Sequence, residues 1–257
     1  MDWRSMSKKT ARGDLWSDEE LMTAIDSYLY LMSLERSCID YSLTEITTFL
    51  LSGPLKNRND ASIRYRMRNI SDVLKKLDWP ILSIYSPAPQ VGAGVRERIE
   101  AILISRSQQL TQIKKISQSS IKSEPLKSVS EKLNRLYKKL EEFGDQRPGH
   151  IGHNNPPEPI DDNPFTLQEI NSAKESIQAI KDEINTLRPD NKKVEVKKNI
   201  VLRLGLKLAI WIGKRVTDFS KATAIAAGTA VGAWAVGLGP QILGTLHSLT
   251  SFMKALG

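Results

Sequence analysis

The spacing of apolar residues predicts that this chain is all-helical. The first helix begins after Ser17-Asp-Glu-Glu20, which has the pattern of a capping box, where the two side chains accept hydrogen bonds from each other's backbone N–H groups. Beyond this box, apolar residues recur every three or four positions, as expected for one buried helix face: Leu21, Ile25, Tyr28 and Met32.

Two further patterns predict a second and a third helix. Ser42-Leu-Thr-Glu45 has the same capping-box spacing, and Gly53-Pro54 ends the short helix that it opens. The third helix is capped near Asp60 and ends before Pro80, with an apolar stripe of Ile63, Met67, Ile70, Leu74 and Leu77. Three helices of which the third is basic predict a helix-turn-helix-like recognition domain over residues 15–104.

The third helix and the turn before it carry the candidate DNA-binding site. Arg64, Arg68 and Lys75 share one helix face beside the apolar stripe, where they can reach phosphates or base edges. The full set of candidates in this region, residues 56–75, is Lys56, Arg58, Arg64, Arg66, Arg68, Ser71 and Lys75. The alternative is an ordinary amphipathic helix whose solvent face is rich in arginine.

Part of this region resembles a known module. Trp16-Ser-Asp-Glu-Glu-Leu21 and the segment from Asn57 to Leu74, above all Asn69-Ile-Ser-Asp-Val-Leu74, are similar to the Myb/SANT-like helix-turn-helix domain found on some bacterial HNH-type endonucleases and restriction-associated proteins. The resemblance covers about a third of the chain, roughly residues 15–90, and implies recognition of DNA or of a protein partner. It does not extend to the nuclease, because the three histidines form no His-Asn-His cluster with acidic ligands.

The amino-acid composition divides the rest of the chain into three segments. Residues 105–143 form a basic helical connector, residues 144–165 a flexible linker rich in Pro, Gly and Asn, and residues 166–257 a helical unit for self-association and membrane association. Within the linker, Gly152-His-Asn-Asn-Pro-Pro-Glu158 resembles a segment of phage-related and bacterial defence proteins that end in a hydrophobic tail. The predicted architecture is therefore an N-terminal bundle, a linker, and a C-terminal helical hairpin or coiled coil.

Behind the linker, apolar residues at alternating spacings of three and four form a seam typical of a short coiled coil. The residues that we assign to oligomerisation are Ile170, Ile177, Ile180, Ile184 and Leu187, with Ala173 also on the seam. Two alternatives stay open at this point. The seam pairs with a second copy of the chain, or it packs against the tail of its own chain.

The tail contains the longest uncharged stretch, residues 222–253, which breaks at Gly239-Pro240. Its first half, 222–238, is a candidate membrane span, and its small residues recur every four positions, as in helices that associate closely. The residues assigned to membrane contact or self-association are Lys207, Trp211, Lys214, Arg215, Ala224, Gly228, Gly232 and Trp234. A buried hairpin or an oligomeric core is the alternative.

The charge is concentrated at the C-terminal end. Residues 1–90 carry twelve basic and twelve acidic side chains, whereas residues 191–257 carry ten basic and two acidic ones. A basic, apolar helix before an uncharged segment favours an anionic membrane surface as partner for residues 192–253. A solvated basic face or a patch that contacts nucleic acid would give the same composition.

The sequence offers no case for an enzyme. It has no phosphate-binding Gly-rich loop, nucleophile elbow or zinc-ligand spacing, and the pair His150 and His153 lacks further ligands, so we predict no catalytic residue, metal or cofactor. The single cysteine, Cys38, excludes a disulfide framework and is predicted to be a small core residue in a protein of the reducing cytosol.

These observations lead to two hypotheses. The first is a bacterial or phage-associated defence effector in the cytoplasm or at the inner membrane. Its N-terminal domain would sense DNA or a partner protein from the same operon, and its self-associating tail would engage the membrane. The second is a DNA-binding accessory subunit or regulator that forms homo-oligomers through its C-terminal helices. A scaffold that binds neither DNA nor lipid is a further alternative.

Overall fold

A computed structural model describes residues 15–115, 125–145, 164–221 and 230–256. Throughout these ranges the chain forms α-helices joined by turns and irregular connections, which confirms the predicted all-α class. The helices are α1 (Asp18–Arg36), α2 (Leu43–Ser52), α3 (Asp60–Lys76), α4 (Ala93–Ser105), α5 (Ser107–Lys115), α6 (Leu126–Asp145), α7 (Leu167–Ile184), α8 (Asn191–Lys221) and α9 (Ala230–Leu256).

Local capping explains where the first three helices begin. The capping box of α1 is confirmed in full, since both Ser17 and Glu20 accept the expected backbone hydrogen bonds. For α2 only half of the box forms: Ser42 caps the helix, while the Glu45 carboxylate accepts a hydrogen bond of 3.1 Å from the Asn199 side chain on α8. The cap of α3 is Asn59 rather than the neighbouring Asp60.

Helix α1 lies at the centre of the fold. The predicted stripe is buried, and so is the opposite side of the helix, where Leu29, Tyr30 and Leu34 are at most 5% exposed. A helix that is buried on all sides needs neighbours on all sides. Helices α3, α4 and α5 provide some of these neighbours, and α8 from the C-terminal half provides the others.

Two glycines of α8 allow it to approach α1 closely. A Cβ atom on Gly205 would lie 2.3 Å from the Tyr30 hydroxyl oxygen, and one on Gly213 would lie 1.8 Å from a carboxylate oxygen of Asp26. The Tyr30 hydroxyl donates a hydrogen bond of 3.0 Å to the carbonyl of Leu202. The absence of side chains at both glycines therefore creates the space that two polar groups of α1 occupy.

An ion pair is buried at this helix crossing. Asp26 accepts a hydrogen bond of 2.8 Å from Nε of Arg106, and both side chains are 1% exposed. The Arg106 guanidinium also donates to the Gly213 carbonyl. Burial raises the pKa of Asp26 to about 6, although Arg106 and Lys214 act in the opposite direction. The pair thus ties α1, the junction between α4 and α5, and α8 together in the interior of the protein.

The contact between α1 and α8 changes the predicted domain organisation. The expected recognition domain, 15–104, and the expected tail unit, 166–257, contribute to one continuous hydrophobic core. Most of the predicted linker, 146–163, lies outside the described residues. The two sides of the linker approach each other through Phe143 and Phe165, whose rings meet edge to face at 5.4 Å.

The seam of α7 packs within its own chain. Helix α7 contacts α8 and α6, and Ile170, Ile177, Ile180 and Ile184 are each at most 2% exposed. The structure therefore corrects their assignment to oligomerisation, because these side chains are not accessible to a second copy. Leu187 is fully exposed, since it lies in the connection that follows α7.

The tail forms the helical pair α8 and α9. The predicted break at Gly239-Pro240 is wrong, because α9 continues through Pro240, with Leu238 and Ile242 buried on either side of it. Packing of these neighbours compensates for the hydrogen bond that proline cannot donate. Among the described residues, none of the helices has the length and apolarity needed to cross a bilayer.

The residues assigned to membrane contact have different surroundings. Lys207 lies 2.6 Å from the Glu169 carboxylate, Trp211 is partly buried against the core, and Lys214 is exposed. Ala224 and Gly228 lie outside the described residues, as do the side chains of Arg215 and Trp234 and the surroundings of Gly232. Membrane contact by this set stays a prediction.

Cys38 is not the core residue that the sequence predicted. It is partly exposed and has a φ of 54°, directly after the end of α1. Its N–H donates to the Glu35 carbonyl and the N–H of Ile39 donates to the Leu34 carbonyl, which is the hydrogen-bond pattern of a Schellman motif. Cys38 thus occupies a left-handed position that normally favours glycine.

Candidate nucleic-acid interface and arginine groove

A short helix, a turn and a longer helix present the candidate interface. The turn between α2 and α3 is fixed by Leu55, which is fully buried and donates a backbone hydrogen bond of 2.8 Å to the Leu50 carbonyl. Helix α3 is held by its apolar side, including Ile63 and Ile70, against the rest of the core. The first half of α3 and its last turn expose charged side chains on this rigid element, whereas the residues from Asn69 to Leu74 are all buried.

The solvent face of α3 carries three of the predicted cations. Arg64 and Lys75 are exposed and Arg68 is partly exposed, and their spacing of four and seven residues places them on one face. Arg64 forms an exposed ion pair with Asp60, and Nε of Arg68 donates to the Ser86 carbonyl at 3.1 Å. Tyr65, which the sequence analysis did not select, is 52% exposed on the same helix. Lys56 is exposed in the turn.

Ser71 does not belong to this surface. It is fully buried, and its hydroxyl lies 2.8 Å from that of Tyr28, which also accepts a hydrogen bond of 2.8 Å from the backbone N–H of Leu82. Ser71 lies between Arg68 and Lys75 on the same line of α3, but α1 covers this part of the helix through Tyr28, so the row of cations is interrupted there. Its assignment to DNA contact is corrected: it joins α3 to α1 and to the loop after α3.

Arg58 is held in an internal network rather than extended into solvent. Its guanidinium donates to both carboxylate oxygens of Glu20, at 2.7 and 2.6 Å, and to the Leu15 carbonyl at 3.1 Å. It also lies over the ring of Trp16, 5.1 Å from the centroid. The hydrogen bonds from Arg58 are the main reason that the pKa of Glu20 is lowered from its ordinary value. The capping residue of α1 thus also fixes the turn before α3.

Arg66 lies over the same tryptophan but has no acidic partner in the described part of the chain. Its guanidinium carbon is 4.9 Å from the centroid of the Trp16 ring. Two of its nitrogens, Nε and Nη1, are buried without a hydrogen-bond partner among the described residues. Burial lowers the pKa of Arg66, and the nearby positive charges of Arg98 and Arg58 lower it further.

A third arginine completes the cluster. Arg98 on α4 donates to Asp18 at 2.6 Å and to the Trp16 carbonyl at 2.8 Å. The three arginines line an open groove of about 530 Å³ between the start of α1, the start of α3 and α4. Among the described residues its lining contains no acidic side chain and consists of Leu15, Trp16, Asn57, Arg58, Asn59, Ser62, Arg66, Val95 and Arg98. We call this feature the arginine groove.

Sequence reasoning identified two of the three arginines and missed the groove. Arg98 and Trp16 are far from α3 in sequence, and only the packing of α4 and α1 brings them there. The available signal was Trp16 directly before a capping box, which places a large ring at the start of α1.

Searches against protein-family models, curated proteins and solved structures gave no match for this chain.

Proposed function

We propose that this protein is a non-enzymatic DNA-binding protein that contacts double-stranded DNA through α3 and the turn before it. The observation that carries the proposal is the group of accessible side chains in the first half of α3, Arg64, Tyr65 and Arg68, with Lys75 exposed in the last turn. A helix of this kind, preceded by a short helix and a turn, has the dimensions to enter the major groove of DNA. The similarity to Myb/SANT-like modules supports the same function.

The ion pair of Arg64 is compatible with this role. Arg64 and Asp60 are an exposed pair one helical turn apart, and such pairs stabilise a protein by only about 0.5 kcal/mol. A DNA phosphate can therefore replace Asp60 as the partner of Arg64 at little cost. Arg68 retains donors beyond the Nε that contacts the Ser86 carbonyl, because a guanidinium has five N–H groups.

The test is a binding titration of the full chain with a fluorescently labelled DNA duplex over a range of salt concentrations. Replacing both Arg64 and Arg68 by alanine should weaken binding at least tenfold. It should also lower the slope of log affinity against log salt by about 2, because each lost phosphate contact contributes about 0.9. The matched control replaces Arg135 and Lys138, two exposed cations on α6, by alanine and removes the same charge.

Two results would contradict the proposal. One is the absence of DNA binding by the wild-type chain at low salt, and the other is an equal loss in the α3 variant and in the α6 control. An equal loss would mean that net charge alone, rather than the face of α3, attracts DNA.

A further inference from the structure

The arginine groove carries more positive charge than its own carboxylates balance. Arg58 is paired with Glu20 and Arg98 with Asp18, and neither carboxylate belongs to the described lining of the groove. Arg66 is the third cation, and no acidic residue among the described ones pairs with it. A partly buried cation without a counter-ion is unfavourable, because it loses hydration without gaining an ionic partner.

The geometry of the groove suits an oxyanion. Its lining combines three guanidinium groups with the side chains of Asn57, Asn59 and Ser62, all of which can donate hydrogen bonds. Asn59 is the N-cap of α3 and Ser62 lies in its first turn, so the positive end of this 17-residue helix lies at the groove. The volume accepts a phosphate group with part of the molecule to which it is attached.

We propose that the arginine groove binds a phosphate group, with Arg66 as the residue that pairs with it. In the setting of the proposed function, on which this assignment of the source rests, the group is a backbone phosphate of the DNA strand on the other flank of α3, because Arg66 lies roughly 160–180° around the helix from Arg64, Arg68 and Lys75. Because Nε and Nη1 of Arg66 are buried, Nη2 is the nitrogen that reaches the ligand first, and a small rotation of the side chain would bring a second, parallel N–H group to another phosphate oxygen. The internal pairs of Arg58 and Arg98 hold their guanidinium planes in place before the ligand arrives.

Without ligand, substitutions at Arg66 and at Arg58 should change the melting temperature in different ways. Because burial of Arg66 and its repulsion by Arg98 and Arg58 outweigh its attraction to Glu20, as the lowered pKa of Arg66 indicates, replacing it by glutamine should leave the melting temperature unchanged or raise it. Arg58→Gln should lower the melting temperature, since it leaves Glu20 without its partner. A purely structural role for Arg66 predicts the opposite result, a clear loss of stability in Arg66→Gln.

The direct test is a titration of the full chain with inorganic phosphate and with pyrophosphate at constant ionic strength. In the wild type, the NMR signal of the Arg66 Nε–H group should shift and saturate, and the melting temperature should rise with ligand concentration. Both responses should be absent in Arg66→Gln and weakened at least tenfold in Arg66→Lys, which retains the charge but not the paired donors. Arg135→Gln on α6 is the control for loss of one charge.

The outcomes separate this proposal from the proposed function. If neither anion shifts the Arg66 signal, the phosphate site is refuted, whatever α3 does with DNA. If the site binds phosphate while the double α3 variant keeps full DNA affinity, the site stands and the proposed function fails. If Arg66→Gln abolishes phosphate binding but leaves DNA affinity and its salt slope unchanged, the source is a free phosphate compound, and the assignment to DNA is overturned.

Discussion

Gly213→Ala tests whether the buried ion pair is as rigid as its surroundings indicate. The new Cβ atom would lie 1.8 and 2.3 Å from the two carboxylate oxygens of Asp26, so the carboxylate would have to retreat by about 1.5 Å to reach ordinary contact distance. That movement breaks its hydrogen bonds with Arg106. Breaking a buried pair costs about 3–5 kcal/mol, whereas alanine gains about 1 kcal/mol of helix propensity over glycine. The net loss should be about 2–4 kcal/mol.

The matched control is Gly244→Ala. Gly244 lies inside α9, is exposed, and its Cβ would have no neighbour within 4 Å. The same substitution should therefore stabilise the protein by about 1 kcal/mol there. Denaturant unfolding followed by circular dichroism measures both free energies of unfolding, with equal m-values as the condition for comparing midpoints.

A background without the ion pair provides the decisive comparison. In a chain where Asp26→Ala and Arg106→Leu remove both charges, Gly213→Ala no longer meets a carboxylate and should become neutral or stabilising. The reasoning is refuted if Gly213→Ala costs as much in that background as in the wild type. The cost would then come from the helix backbones and not from the position of Asp26.

Three smaller changes test other contacts. Tyr30→Phe removes the buried hydroxyl that donates to the Leu202 carbonyl and should lower the free energy of unfolding by about 1–2 kcal/mol in the same denaturant assay. Cys38→Gly should raise it by about 0.5–1 kcal/mol, because glycine adopts a positive φ without strain, whereas Cys38→Ala should leave it unchanged. Glu20→Gln should lower stability at neutral pH and reduce the loss of stability on acidification, measured by thermal melts from pH 7 to pH 3.

The sign of the Glu20 effect follows from its lowered pKa. Because the folded state holds the carboxylate ionised through Arg58, its contribution to stability is present above the ordinary pKa of 4.5 and disappears as pH falls through the lowered value. A glutamine side chain does not titrate, so Glu20→Gln removes this contribution to the pH dependence of stability. An acid-induced loss of stability that is identical in Glu20→Gln and wild type would show that Glu20 and Arg58 are not paired in solution.

Local signals predicted the helices well and their partners poorly. The cap at Ser17, the stop at Gly53 and four residues of the apolar stripe of α3 depend on neighbouring residues and are present in the structure, whereas Leu77, the fifth stripe residue, is exposed at the C-cap of α3. The seam of α7 was equally clear, but its partner was not defined, because apolar side chains pack equally well against the same chain or a second copy. Only the position of α8 resolves this ambiguity.

In the candidate site, too, the sequence does not show which partner each polar side chain contacts. Arg64 and Arg58 look alike in the sequence, yet one points to solvent and the other is paired with Glu20, which is 38 residues away. Ser71 was misassigned because its position relative to Tyr28 depends on how α1 crosses α3. Arg98 was missed for the same reason, since its role depends on the packing of α4 against the start of α1.

Helix α1 links the proposed binding surface to the C-terminal helices. Its beginning carries Asp18 and Glu20, which hold two groove arginines, and its middle carries Asp26 and Tyr30, which pack against α8. A chain truncated after Arg188 keeps every residue of the candidate interface but loses α8. It should therefore lose stability, and with it DNA affinity, in melting and binding assays. A truncated chain that melts and binds DNA like the full one would show that α8 does not support the recognition helices.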